Sequence, residues 1–64
     1  MDTILETAVK DKEYINSKIL ELNEFLNSDE FNSLSPEDKA DMLSQKYHME
    51  CYLNTLTVRI ERHS

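Results

Sequence analysis

The chain is 64 residues long, with no glycine, one proline, one cysteine and a formal charge of −6 at neutral pH. A chain this short makes one domain at most, and its core normally needs a disulfide, a metal or a partner to supplement it. The single cysteine excludes an internal disulfide, and the acidic balance argues against general nucleic-acid binding, which needs clustered Lys and Arg to neutralise phosphates.

The first ten residues, MDTILETAVK, do not read as a signal peptide, and no apolar run approaches the ~18 residues of a membrane span. The expectation is therefore a soluble protein of a reducing cytoplasm, with no membrane attachment. Leu and Glu are the commonest residues, at eight each, with five Lys and no glycine, which is the composition of long helices and predicts an all-α fold. Charge is uneven along the chain. Residues 1–32 hold eight acids against Lys10, Lys12 and Lys18, and residues 33–64 hold five against Lys39, Lys46, Arg59 and Arg62, giving −5 and −1.

The first predicted element is a helix over about residues 3–27. Leu5, Ala8, Ile15, Ile19, Leu22 and Leu26 alternate at threes and fours, with Lys12 in the one gap, and form a heptad seam. Ile4, Val9, Leu20 and Phe25 widen that stripe beyond what one partner helix covers.

Residues 28–35 form the connection, because Asn27, Ser28 and Asp29 are cap and turn formers. Ser28-Asp29-Glu30-Phe31 fits a single helical turn that tucks Phe31 and Leu34 over the ends of the long helices. Ser35 followed by Pro36 reads as an N-cap serine with proline at the first helical position, which starts a second helix over about 36–62. Its seam runs through Met42, Met49, Leu53, Leu56 and Ile60, with Leu43 and Tyr47 to one side and Gln45, Tyr52 and Arg59 to the other.

Two long helices with a short joint are expected to lie antiparallel. Residue i then pairs with roughly 64 − i, placing Ala8 near Leu56, Ile15 near Met49, Leu22 near Met42, and Lys12 opposite Tyr52. A two-helix hairpin has too thin a seam to stand alone. The expected architecture is a single hairpin domain, residues 1–64, assembling as a homo-oligomeric helical bundle, with Ile4, Val9, Leu20, Phe25, Leu43 and Tyr47 at the interface. Tyr47 suits that place because its ring buries while its hydroxyl reaches water. Met1, Met42 and Met49 read as core filler.

Few residues invite chemistry. His48 and Cys51 stand at i and i+3, a spacing open to two zinc ligands, but no further Cys or His completes a set. Cys51 has no accompanying base or oxyanion loop, so no catalytic residue, metal or cofactor is expected and the chain reads as a non-enzyme. The carboxylates suit solvated faces and helix N-termini.

The open end of the hairpin is more informative. Antiparallel pairing brings Lys10 and Lys12 near Arg59, Arg62 and His63, with Tyr14 and Tyr52 close by. Lys10, Lys12, Arg59 and Arg62 would hold phosphates there while Tyr52 stacks on a base. The competing reading is that the C-terminal cations serve their own helix end and pair with Asp2 or Glu6.

The spaced residues Leu43, Gln45, Met49, Tyr52, Leu56, Arg59 and Ile60, preceded by Phe25-Leu26 and the loop FNSLSPE, resemble a family of very small phage and prophage proteins, the crAss-phage-related group. The likeness covers roughly residues 13–61. The two-helix shape is also similar to the hairpin domain of phage anti-CBASS and anti-Thoeris sponge proteins. Those oligomerise and sequester cyclic or ADP-ribose-derived nucleotides.

The resemblance implies a phage counter-defence protein of the host bacterial cytoplasm, with a cyclic dinucleotide or ADP-ribose-type signal as partner. Two alternatives remain open. The acids Glu21, Glu24, Asp29 and Glu30 would let the chain block a basic host defence protein, as a nucleic-acid mimic. A spare apolar stripe would equally suit a small helical adaptor.

Overall fold

With neither glycine nor proline to interrupt it, the first heptad seam forms one continuous helix, α1, Thr3–Leu26. Asp2 caps it: its Oδ1 accepts from the N–H groups of Ile4 at 3.0 Å and Leu5 at 3.3 Å, satisfying two of the free donors of the first turn. A computed structural model describes residues 2–64. Met1, expected as core filler, lies outside the described residues.

Helix α1 stops where its last carbonyls are taken by local groups. The Asn27 side-chain amide donates to the Asn23 carbonyl at 3.0 Å, and the Ser28 N–H donates to the Phe25 carbonyl at 3.0 Å. Ser28 then caps the single turn α2, Asp29–Asn32, by accepting from the Phe31 N–H at 3.3 Å. Ser35 accepts from the Asp38 N–H at 3.1 Å and opens α3, Pro36–His63, with proline in the first turn where a missing N–H costs nothing. The expected capped connection is present; both long helices start where expected, at Thr3 and Pro36, and their C-terminal ends, Leu26 and His63, each differ from the sequence reading by one residue.

Helices α1 and α3 pack against each other as an antiparallel hairpin, a rod of 48 × 15 × 13 Å. The fold is all-α, as composition implied. The turn end is closed by an edge-to-face pair of Phe25 and Phe31, centroids 6.3 Å apart, with the Lys39 ammonium 5.9 Å from the Phe31 ring centre. Toward the open end, Ala8 and Leu56 are fully buried. The cross-helix contacts of Asp2 with His63 and of Asp11 with Tyr52 accord with the expected 64 − i register.

Leu22 completes the set of hydrophobic side chains that are buried among the described residues. Ile15, Ile19, Met42, Met49, Leu53 and Ile60, all seam positions, are half-buried. No helix among the described residues is long and apolar enough to cross a membrane.

Candidate ligand-binding surface

The hairpin has two unlike flanks, and one contact marks which is which. The Tyr52 hydroxyl, on α3, donates to Asp11 Oδ2, on α1, at 3.5 Å. So long a bond orients the ring more than it stabilises the fold. The sequence register put Lys12 opposite Tyr52; the level along the rod is right and the partner is the neighbouring residue. Lys12 is half-buried in the gap of the seam, whereas Asp11, about 100° further round α1, reaches the flank where the phenol needs an acceptor.

Three shallow grooves follow that flank from the turn to the open end. Near the turn, Phe25, Leu34 and Met42 floor a hollow edged by Asp38 and Asp41. Beside it, Ile15 and Met49 form the apolar floor of a groove of about 420 Å³. Its walls are Asp41, Ser44, Gln45, His48 and Tyr52. Toward the open end, Arg59 of α3 lies over Thr3, Ile4, Thr7 and Ala8 of α1.

The five residues anticipated for ligand binding are distributed around this frame. Tyr52 and Arg59 share one flank of α3, seven residues apart, each in its own groove. Lys10 instead lines a hollow along α1 with Leu5, Glu6, Val9 and Glu13. Lys12 is half-buried, and Arg62 is exposed in the last turn of α3. Within one chain these cations do not share a cavity. Among the described residues none of Lys10, Lys12, Arg59 and Arg62 is in an ion pair, so their charges are not already spent on neighbouring carboxylates.

His63 does have a partner, the one the competing reading named. Its Nδ1 lies 2.8 Å from Asp2 Oδ2, so the α1 cap also ties down the last residue of α3. Desolvation at this joint pushes the Asp2 carboxyl up. The His63 hydrogen bond, the Leu5 and Ile4 N–H groups and the imidazole charge outweigh it, and the carboxyl sits below its ordinary value. Sequence reasoning missed the double duty of Asp2. The signal for it was an N-cap aspartate at one terminus and a histidine at the other, joined by the antiparallel register.

The opposite flank carries exposed apolar side chains set among polar ones: Glu13, seven residues before Leu20, and Glu50, seven after Leu43, share their strips. Leu20 stands nine residues after Asp11 and Leu43 nine before Tyr52, about two and a half turns in each helix, which puts both on the far side from the Asp11–Tyr52 contact. They are among the most exposed apolar side chains, at 64% and 52%. Val9, three turns before Leu20, shares its strip and is also exposed.

Tyr47, 56% exposed, stacks on His48 with ring centroids 5.9 Å apart. It edges a further hollow with Glu50, Cys51, Asn54 and Thr55, and the Cys51 thiol beside it raises the phenol above its ordinary pKa.

The anticipated interface residues thus divide. Val9, Leu20, Leu43 and Tyr47 are exposed away from the grooves, whereas Ile4 and Phe25 belong to the grooved flank, Phe25 half-buried against Phe31. Val58 and Tyr14 are also exposed and were not anticipated. His48 and Cys51, the spacing open to zinc, line separate hollows.

No curated protein and no solved structure matches this chain. One family model does match, that of Sequestin, and it aligns with residues 9–62, from the middle of the first helix turns through to the last turn of α3. That span includes the grooved flank from Asp11 to Arg59 and the whole of the connection, and the chain belongs to the Sequestin family.

Proposed function

We propose that this protein is a non-enzymatic, phage-encoded counter-defence protein that works as a homo-oligomer and sequesters a nucleotide immune signal, a cyclic dinucleotide or an ADP-ribose derivative, in the cytoplasm of the host bacterium. The family match over residues 9–62 carries this reading, since the family's name denotes sequestration. A sequestering protein needs a site and high abundance, not a reaction.

The exposed apolar side chains opposite the grooves support self-association. Leu20, Leu43 and Tyr47 are each more than half exposed, and covering them is favourable by roughly 25 cal/mol per Å² of apolar surface removed from water. A second copy offers the same stripe in return, the arrangement a two-fold interface requires. In such an assembly the unpaired cations Lys10, Lys12, Arg59 and Arg62 of neighbouring chains act together on phosphate groups, with Tyr52 as the stacking ring.

Two measurements test this. Light scattering at low micromolar concentration is expected to give an assembly, and the double variant Leu20→Glu with Leu43→Glu to give single chains. A thermal-shift panel of cyclic dinucleotides and ADP-ribose derivatives is expected to raise the melting temperature for at least one member. A flat panel, together with a stoichiometric host protein recovered from bacterial lysate, would replace the sponge by a protein blocker acting through Glu21, Glu24, Asp29 and Glu30.

A further inference from the structure

The groove floored by Ile15 and Met49 has the makings of a site for one part of a ligand. Its volume, about 420 Å³, lies within the roughly 300–1,000 Å³ of small-molecule sites, and its composition follows their pattern of an apolar floor with a few convergent polar groups. The polar groups are of a particular kind. Gln45 presents an amide, donor and acceptor side by side, which matches the N6 and N7 edge of adenine. Asp41 and Ser44 are an acceptor and a hydroxyl suited to ribose hydroxyls or an exocyclic amine.

Two ring systems follow these groups along α3, about one and two turns beyond Gln45. His48 is braced from behind by stacking on Tyr47, and Tyr52 is oriented by its hydroxyl bond to Asp11 across the hairpin. With both rings held, stacking on a flat base loses little side-chain freedom. No lysine or arginine lines the groove, and Asp11 and Asp41 make its edges acidic, so it disfavours a phosphate.

The nearest arginine on the same flank is Arg59. It lies seven residues, about 10 Å, along α3 from Tyr52 and is in no ion pair among the described residues. That separation suits a ligand whose uncharged, flat end enters the groove while its phosphate end extends toward the open end of the hairpin.

The geometry points to a purine-nucleoside subsite at Gln45, His48 and Tyr52, with the phosphates of the same ligand directed to Arg59. This deepens the nucleotide-sequestering reading and rests on it. It also separates two tasks within the candidate set, since Tyr52 recognises the base and Arg59 the charge. Lys10, in its own hollow along α1, lies outside the subsite.

The test is a two-dimensional amide NMR titration of the full chain with adenosine, ADP-ribose and cyclic di-AMP, backed by affinities of variants. The amides of Gln45, His48 and Tyr52 are expected to shift with the ligand that binds, and Arg59 to shift only with the phosphate-bearing probes. Tyr52→Ala is expected to weaken binding about tenfold or more, Tyr52→Phe to retain most of it, and Arg59→Gln to weaken the phosphate-bearing probes while sparing adenosine. Circular dichroism melts of each variant separate lost binding from lost folding.

Binding of a phosphate-bearing probe with the three groove amides unmoved, or full affinity in folded Tyr52→Ala, overturns the subsite and leaves nucleotide sequestration standing. No binding by any of these probes or of the thermal-shift panel overturns both.

Discussion

The two ends of this hairpin are held by different physics. At the turn, closure comes from apolar packing and neutral caps: Phe25 against Phe31, Lys39 over the ring, and Ser28 and Ser35 each accepting one backbone N–H. At the open end it comes from the burial of Ala8 and Leu56 and from a single carboxylate, Asp2, which caps α1 and holds His63. The turn is closed by the chain itself, so its contacts are local and owe little to pH. The open end joins residues 61 positions apart through a titratable group, and its order depends on conditions.

Removing Leu56 should break the open half most severely. Its side chain has no exposure, and Leu56→Ala is expected to cost about 2–5 kcal/mol through lost burial and the cavity left behind, read as a drop in the denaturation midpoint. Survival of the fold with a change of a few tenths would show that the two helices are not held through this contact.

Phe31→Ala tests the other end. The ring is half-buried, so the expected loss is about 1–3 kcal/mol, below that of a fully buried aromatic. Amide exchange should speed up from Phe25 to Lys39 while Ala8 and Leu56 keep their protection.

Ser35→Ala sharpens the picture by removing one cap without touching the packing. About 1 kcal/mol is expected, with the first turn of α3 fraying, and Ser35→Asp is expected to restore it.

The smallest effect is the pH response of the open end. Because the Asp2 carboxyl is lower in the folded chain than its ordinary value, its stabilisation is fully present above that ordinary value. It is lost as pH falls through the lowered folded value. Amide exchange at Ile4 and Leu5 should therefore accelerate in acid before exchange at Phe31 does. Asp2→Asn should abolish the difference between the two ends, and an unchanged acid profile in that variant would exclude the carboxylate as its source.

These contrasts also explain why some parts of the molecule were readable from residue order and others were not. Ser35-Pro36 announces the start of α3 because a cap hydroxyl and a fixed φ act within one turn of chain. The antiparallel register followed from heptad spacing and a short joint, and the Asp2–His63 and Asp11–Tyr52 contacts accord with it. The partner of Tyr52 did not follow, since Asp11 and Lys12 differ by one residue in sequence but by about 100° around the helix. Two of the candidate cations, Lys10 and Arg59, likewise line separate hollows, because they stand on different sides of the hairpin.

Residue order was thus sufficient for the helical class, the single joint, the caps and the antiparallel sense, all of which depend on local propensity and on a period repeated over many turns. Packing was needed to decide which side chains the seam hides and which it leaves in water. It was also needed to separate the flank that exposes Leu20 and Leu43 from the grooved flank bearing Tyr52 and Arg59. The reason is geometric. The rotation of one helix about its axis relative to the other is set by how side chains interlock across the seam, and a change of one residue in that fit moves every flanking group by more than a quarter of a turn.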